Sequence, residues 1–198
     1  MRTGLLLSGG MDSVAVAHWK KPDVCYTIDY GQLPAPGEIR AASAVCSALG
    51  LIHRVITVNC RELGSGDLAG KSPSSAAPAS EWWPFRNQLL LTFAGAVAIN
   101  DGVTSLMMGT VKSDRFHQDG HPEFFKLIND LMVFQEGACR VDVPAIHLTT
   151  KELIAESQIP FSVLAWSHSC HASDYACGLC RGCAKHALTM KELGHGDY

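Results

Sequence analysis

The chain has 198 residues, a formal net charge of −3 and 47% hydrophobic residues, which fits one domain with a small appendage and a substantial core. The slightly acidic balance disfavours binding to bulk nucleic acid, and no segment is long and apolar enough to span a bilayer. The first residues lack the pattern of a signal peptide, so we expect a cytoplasmic protein whose eight cysteines stay reduced.

Strands and helices alternate in the predicted order. The predicted strands cover residues 5–7, 24–28, 53–58, 105–109 and 140–144, and the predicted helices cover 12–20, 38–49, 87–99, a stretch opened by His121-Pro122, and a stretch capped by Thr149 or Thr150 that ends at Ser157. This order predicts right-handed crossovers and a Rossmann-like α/β domain whose parallel sheet is covered on both faces. Residues 64–80 are rich in Gly, Ser, Ala and Pro and predict a flexible loop.

Two of the predicted helices carry long apolar surfaces. Residues 87–99 are almost continuously apolar, which predicts a buried helix. The helix after His121-Pro122 carries apolar residues at helical spacing, namely Phe124, Phe125, Ile128, Leu131 and Met132. That spacing predicts a face turned to the core, which we favour over a cofactor contact.

A glycine-rich turn joins the first strand to the first helix, and its sequence is Ser8-Gly9-Gly10-Met11-Asp12-Ser13. The two glycines allow a tight turn that aims backbone N–H groups at an anion, and the helix adds its positive N-terminal end. Ser8 and Ser13 supply hydroxyl donors, and Asp12 is placed to hold the Mg²⁺ that accompanies a nucleotide. The turn therefore predicts a pyrophosphate site, and the alternative is a simple connection between strand and helix.

A cysteine cluster lies near the C-terminus, where two overlapping C-x-x-C steps follow another cysteine. The predicted ligands of a four-thiolate zinc site are Cys170, Cys177, Cys180 and Cys183. An iron–sulfur cluster would use the same ligands, and one of three nearby histidines, His168, His171 or His186, could replace a thiolate. Arg181 or Lys185 is placed to offset the negative charge of the thiolates. The other cysteines lie in apolar elements and are interpreted as small buried residues, namely Cys25, Cys46, Cys60 and Cys139.

Further motifs follow the glycine-rich turn in chain order. They are Asp29-Tyr30-Gly31-Gln32 after the second strand, Arg86-Asn87 at the start of a helix, Gly109 with Asp114, Lys151-Glu152, and the cysteine cluster. The turn resembles the signature of the ATP pyrophosphatase superfamily, whose phosphate loop is called the PP-loop. Over almost the whole chain, the ordered set of motifs resembles the 7-cyano-7-deazaguanine synthases, the QueC family.

This resemblance implies an organisation and a reaction. It implies an adenylating PP-loop domain over residues 1–165, a zinc-binding segment over residues 166–198, and a homodimer. ATP would adenylate the carboxylate of 7-carboxy-7-deazaguanine, and ammonia would displace AMP to give an amide. A second adenylation would let the amide lose water to the nitrile, giving 7-cyano-7-deazaguanine.

The resemblance also implies roles for particular residues. Phosphates and Mg²⁺ would be bound by Ser8, Gly9, Gly10, Met11, Asp12 and Ser13. The rest of the nucleotide site would be framed by Asp29, Tyr30, Gly31, Gln32, Arg86, Asn87, Gly109 and Asp114. Asp12, Arg86 and Lys151 are the predicted catalytic residues, because the two cations would offset negative charge on phosphate or carboxylate; structural ion pairs are the alternative. Asp114 would accept hydrogen bonds from the guanine-like edge of the substrate, or it caps the following turn.

The chain departs from the family on the expected substrate side. The stretch Asp119-Gly120-His121-Pro122-Glu123-Phe124-Phe125 stands where synthases usually carry a Tyr-Pro-Asp-Cys-Arg-like segment, so the familiar arginine is absent. Trp83-Pro84-Phe85 stands where they carry Val-Pro-Gly. Adenylation followed by transfer to ammonia is the leading interpretation. The alternatives are transfer to a protein amine, as QueC-like proteins of bacterial defence operons suggest, and a non-catalytic nucleotide-binding scaffold. A tRNA-modifying thiolase would predict a basic patch and a catalytic cysteine, which the sequence does not show.

Overall fold

A computed structural model describes residues 2–196, in which five strands and a set of helices follow one another along the chain. The strands are β1 (Arg2–Leu6), β2 (Val24–Asp29), β3 (Ile52–Thr57), β4 (Val103–Met108) and β5 (Arg140–Asp142). The helices are α1 (Met11–Lys20), α2 (Ala35–Leu49), α3 (Arg86–Asn100), α4 (Pro122–Phe134), α5 (Thr150–Ser157), α6 (Phe161–Leu164) and α7 (Arg181–Glu192). None of these helices is long and apolar enough to cross a membrane.

The strands form one parallel sheet in the order β3-β2-β1-β4-β5. The chain moves outward from β1 to β2 and β3, and then returns to place β4 on the other side of β1. The strand order therefore reverses between β1 and β4. In open parallel sheets, ligands bind at the carboxyl ends of the strands beside this reversal, so the turn after β1 lies at the expected position of a site.

The consecutive leucines at the end of β1 explain why this strand is central. Leu5 and Leu7 belong to the hydrophobic core on one face of the sheet, whereas Leu6 belongs to the core on the other face. Successive side chains of a strand alternate between faces, so a strand covered on both sides is apolar at every position. The α/β fold with a five-stranded parallel sheet confirms the predicted fold class.

Coverage of the sheet and of its helices is less complete than predicted. Ile52 and Val55 on the edge strand β3 are 52% and 45% exposed, so the sheet is not covered on both faces at this edge. On α4, Phe125 and Ile128 are buried as predicted, but Leu131 is 49% exposed, so the prediction was wrong for this residue. Helix α3 buries one face only, because Ile99 near its end is 44% exposed.

Part of the predicted loop over residues 64–80 is held by specific contacts. It contains a 3-10 turn, Asp67–Ala69, in which Leu68 is 2% exposed and belongs to the core of the second face. The carbonyl of Leu68 accepts a hydrogen bond of 2.8 Å from the Leu33 N–H. The mobility of residues 64–80 stays a prediction.

Candidate active site

The turn after β1 has the shape that a phosphate loop requires. Gly9 has φ +79°, and a Cβ atom at this position would lie 2.8 Å from the carbonyl oxygen of Glu38 and 2.9 Å from the Cβ of Ala41. Only glycine fits both the backbone angle and the close approach of α2. Gly10 is the extended residue that precedes α1, so the N-terminal end of that helix follows the turn directly. The hydroxyls of Ser8 and Ser13 lie 3.2 Å apart beside it.

A cavity of about 300 Å³ opens at the carboxyl ends of the strands. Among the predicted site residues, it is lined by Ser8, Gly10, Met11, Asp12, Ser13, Tyr30, Arg86, Asn87, Gly109, Asp114 and Cys170. The volume lies at the lower limit of small-ligand sites, and the lining combines apolar walls with a few convergent charges. The structure therefore brings most of the predicted residues to one place.

Four predicted nucleotide-binding residues lie behind the cavity wall instead of lining it. The Gly31 N–H donates to Asp29 Oδ1 over 3.0 Å, and the Gln32 side-chain amide donates to Glu38 Oε2 over 2.8 Å. These contacts form a turn that presents Tyr30 to the cavity. Gly9 likewise shapes the phosphate loop from behind.

Lys151 lies away from these residues. Among the described residues it is exposed in the first turn of α5 and does not line the cavity. The neighbouring Glu152 has a local structural role, because its side chain accepts a hydrogen bond of 2.7 Å from the Thr149 N–H. Thr149 Oγ1 in turn accepts from the Glu152 N–H, and these two bonds form a capping box that fixes the start of the helix.

Lys185, from the other end of the chain, lies beside Asp12 in the cavity lining, where we predicted no cation. Lys185 Nζ lies 3.0 Å from Asp12 Oδ2 and 3.8 Å from Asp114 Oδ1. Burial raises the pKa of Asp12 and outweighs the attraction of Lys185, and the nearby Asp114 raises it further. Lys185 was predicted to offset the charge of the thiolates, but it pairs with these carboxylates.

Asp12 retains an oxygen that can bind a cation. Its Oδ1 atom is buried and has no hydrogen-bond partner among the described residues. A buried, unpaired carboxylate oxygen is costly, and a divalent cation is a ligand that would remove this cost. The residue therefore fits the Mg²⁺ that the sequence predicted for it.

Asp114 has a structural role as well as a place in the cavity. Its Oδ2 accepts a hydrogen bond of 3.0 Å from the Val111 N–H and so caps the 3-10 turn Lys112–Phe116. The predicted alternative was a cap on the turn that follows Asp114, but the bond caps the turn in which Asp114 itself lies. Its other oxygen faces Lys185, and the side chain stays 39% exposed.

The cavity lining also carries an acid, Glu38, and a guanidinium, Arg86, that influence each other electrostatically. Burial raises the pKa of Glu38 to about 7, although its hydrogen bond with Gln32 and the charge of Arg86 act in the opposite direction. Burial lowers the pKa of Arg86, but Tyr30, Asp119 and Glu38 outweigh it and keep the guanidinium charged. Arg86 is therefore a fixed positive charge inside the cavity.

A second ionic cluster joins the C-terminal segment to the cavity. Arg181 Nη1 donates to Glu81 Oε1 over 2.8 Å, and His117 Nε2 lies 3.3 Å from the same oxygen. The guanidinium of Arg181 also lies over the ring of Phe116, 4.7 Å from its centroid. Glu38, His117 and Lys185 line the cavity but were missed as cavity residues, because their neighbours there are distant in sequence.

The four predicted metal ligands converge. The sulfur atoms of Cys170, Cys177, Cys180 and Cys183 all lie within 4.8 Å of one another. The Cys177–Cys183 and Cys170–Cys180 pairs are each 3.9 Å apart. With Zn–S bonds of about 2.3 Å, the edge of a tetrahedral four-thiolate site is about 3.8 Å, so the spacing fits one mononuclear ion. An iron–sulfur cubane would hold each thiolate on a separate iron and therefore farther apart.

Backbone N–H groups favour the thiolate form of Cys177, whereas burial raises the pKa of the Cys183 thiol. The N–H groups of Leu179 and Cys180 hold the pKa of the Cys177 thiol at about 6. Two of the three histidines considered as substitutes make other contacts: His186 Nδ1 lies 3.0 Å from Ser169 Oγ, and His168 Nε2 lies 3.1 Å from the carbonyl oxygen of Ser173. The remaining four cysteines are buried, as predicted.

The geometry defines a class of protein. A glycine-rich loop follows the central strand of a parallel sheet, two serines and an aspartate flank it, and a four-cysteine segment closes the same cavity. This is the arrangement of a PP-loop ATP pyrophosphatase-like α/β protein. The U34-tRNA thiolase NcsA from Methanococcus maripaludis, solved with its [4Fe-4S] cluster, has a similar fold, with a TM-score of 0.57 and 13% identity over 100% of this chain and 67% of that chain.

Sequence comparisons identify the family within this class. Residues 3–194 match the family of the queuosine biosynthesis protein QueC. The 7-cyano-7-deazaguanine synthase of Desulforudis audaxviator is 31% identical over 98% of both chains. The synthase of Methanosarcina mazei is 26% identical over 100% of this chain and 96% of its own. The chain therefore belongs to the QueC family.

Proposed function

We propose that this protein is an ATP-dependent ligase that adenylates 7-carboxy-7-deazaguanine and transfers the activated acyl group to a nitrogen nucleophile. The observation that carries the proposal is the phosphate loop, with Asp12 beside it, opening into a cavity in a chain of the QueC family. A carboxylate is a poor electrophile until one of its oxygens becomes part of a good leaving group. ATP supplies that group, and the chain's residues stabilise the charge that develops.

In this proposal, residues on one side of the cavity would bind the phosphates, and residues on the other side would bind the deazapurine substrate. On the phosphate side, the backbone N–H groups of the loop and the hydroxyls of Ser8 and Ser13 would bind the phosphates, and Asp12 would hold Mg²⁺. When bound, Mg²⁺ neutralises phosphate charge. On the other side, Arg86 is placed to orient the substrate carboxylate, and Glu38 and Asp119 offer acceptors to a purine-like edge.

The default acceptor is ammonia, which leads through the amide to 7-cyano-7-deazaguanine. One feature favours a larger amine as a second candidate. Phe85 and Phe116 are 73% and 53% exposed, and each is followed directly by a residue that lines the cavity. Exposed aromatic side chains beside the cavity suit an extended peptide better than ammonia, so transfer to a protein amine is the alternative.

Three further properties belong to the proposal. Zinc is the metal that suits the four sulfur atoms, and its role is to fix the segment that closes the cavity. A cytoplasmic location suits eight cysteines without a disulfide among them. A homodimer is expected from the family.

The test combines the protein with ATP, 7-carboxy-7-deazaguanine and ammonium, and measures pyrophosphate release and products by mass spectrometry. We expect pyrophosphate and the nitrile, and an Asp12→Ala variant that melts like the wild type should lose at least about 10²-fold in rate. Pyrophosphate without the nitrile would favour the larger amine. Unchanged pyrophosphate release in Asp12→Ala, or none from the wild type, would reject the proposal and favour the scaffold.

A further inference from the structure

The C-terminal metal segment, residues 168–186, contacts the phosphate loop directly. The His168 N–H donates to the carbonyl of Gly9 over 2.8 Å, and Lys185 Nζ lies 3.0 Å from Asp12 Oδ2. Ser169, Cys170 and Gly182 from the same segment also line the cavity. The segment is therefore a wall of the site as well as a metal site.

The cavity needs a cation on this side. Asp12 belongs to the phosphate loop and Asp114 lines the same cavity, and the triphosphate of ATP would bring further negative charge to the same place. Among the described lysines and arginines, only Arg86 and Lys185 line the cavity. Arg86 interacts electrostatically with Tyr30, Asp119, Glu38 and Asp114, whereas Lys185 forms an ion pair with Asp12 in the loop itself. Lys185 is thus the cation that faces the loop.

The backbone of Lys185 is held in place by the cysteine cluster, whereas its ammonium group can move. Helix α7 begins at Arg181, and its N-cap residue Cys180 accepts a hydrogen bond from the Cys183 N–H, so the start of the helix is built into the cysteine cluster. Lys185 follows in the next half-turn, and its side chain is 42% exposed. A lysine has a flexible stem and three donors, so its ammonium can move between nearby anions.

We infer that Lys185 is a catalytic residue of the adenylation step that pairs with Asp12 at rest and with the phosphates of ATP during the reaction. This inference rests on the proposed function. If Asp12 held Mg²⁺, the ammonium group of Lys185 would be released from its closer partner and could donate to the phosphates of ATP. The substrate carboxylate oxygen then attacks the α-phosphorus, the bond to the bridging oxygen of pyrophosphate breaks, and Lys185 donates to the leaving pyrophosphate, which keeps the electron pair.

The experiment uses the full chain with Lys185→Met, Lys185→Gln and Lys185→Arg, and with Lys126→Met on the exposed side of α4 as the matched control. Both neutral variants should lose about 10²-fold in kcat for pyrophosphate release, with a smaller change in the KM for ATP. Lys185→Arg should stay within about tenfold of the wild type, because it keeps the charge. Lys126→Met should behave as the wild type.

A second readout separates this role from a structural one. Mn²⁺ alone, titrated without nucleotide and followed by the paramagnetic resonance of the free ion, should bind Lys185→Met about tenfold more tightly, because a competing cation has been removed. A merely structural lysine would weaken both binding and catalysis when replaced. Weaker Mn²⁺ binding, or a kcat within about threefold of the wild type in both neutral variants, would overturn the inference.

The outcomes distinguish this inference from the proposed function. If Asp12→Ala abolishes pyrophosphate release and the neutral Lys185 variants do not reduce it, adenylation stands and the role of Lys185 is rejected. If Asp12→Ala keeps its activity, the proposed function fails first. Should Lys185→Met not fold, the comparison of Lys185→Gln with Lys185→Arg decides, because these two side chains both keep a donor for Asp12 and differ in charge.

Discussion

The two sides of the phosphate site are built in different ways. The loop of residues 8–13 is organised by contacts within itself, such as the bond of 3.0 Å from the Ser13 hydroxyl to the Gly10 carbonyl. The metal segment reaches the same place from the far end of the chain, and the pair of Lys185 with Asp12 joins residues 173 positions apart. One side is therefore a local motif, and the other is a product of tertiary structure.

The difference shows what holds each side in place. The loop lies between the central strand and α1, so the pairing of β1 with β2 and β4 fixes the position of the loop. The metal segment has little regular structure before α7 and is organised around four sulfur atoms. We therefore expect the loop to depend on backbone geometry and the segment to depend on its metal.

The largest expected effect comes from removing the metal site. A Cys180→Ala/Cys183→Ala double variant loses two of four ligands, and structural zinc contributes about 10–16 kcal/mol of apparent binding free energy in small zinc peptides. The segment should detach and withdraw Lys185, so pyrophosphate release should fall at least about 10²-fold. Elemental analysis and the release assay measure the two effects. Cys139→Ala, a buried cysteine outside the cluster, should keep one metal per chain. Full activity in a metal-free double variant would show that the wall needs no metal.

The same difference explains what the sequence could predict. The tight glycine turn after β1 and the convergence of the four cysteines could be predicted, because both depend on spacing along the chain. Phosphate binding by the loop stays a prediction. Lys185 and Glu38 were missed as cavity residues, because their roles depend on which elements the fold places side by side. Lys151 was predicted to be a catalytic residue because of its motif. It lies in the first turn of α5, whose start is fixed by the capping box of Thr149 and Glu152, and its side chain is exposed there.

Apolar sequence patterns predicted burial correctly only where a neighbouring element packs against the apolar face. The leucines of β1 are buried because helices pack on both faces of the central strand. Leu131 has the same helical spacing as its buried neighbours on α4, yet it is 49% exposed. Periodicity predicts which residues share a face, but the width of the covered surface depends on the neighbouring elements.

A smaller effect is expected from changing the loop backbone. Gly9→Ala forces a left-handed residue to carry a Cβ atom 2.8 Å from the Glu38 carbonyl oxygen, so both strain and overlap should destabilise the protein, by about 3 kcal/mol in total. Gly50→Ala is the matched control, because Gly50 has φ +67° and no atom within 4 Å of such a Cβ. It should cost about 1 kcal/mol through strain alone. Urea unfolding measures both, and equal losses would mean that α2 moves aside and that the close approach is not essential.

An effect of similar size concerns Glu38 in the cavity lining and depends on pH. Burial raises the pKa of Glu38 from 4.5 to about 7, so the folded protein binds a proton there that the unfolded chain releases. The stability from this group is fully present below about pH 4.5 and is lost as the pH rises through about 7. Glu38→Gln resembles the protonated acid and can still accept the hydrogen bond from Gln32.

The variant should therefore match the wild type near about pH 4.5 and be more stable by about 3 kcal/mol at about pH 8. Urea unfolding at the two pH values measures this difference, and comparing the two proteins cancels the titration of all other groups. Glu156→Gln on the exposed side of α5 should show no pH-dependent difference. A Glu38→Gln protein that is less stable than the wild type at about pH 8 would mean that Glu38 is held ionised by Arg86, and that the two side chains form an ion pair.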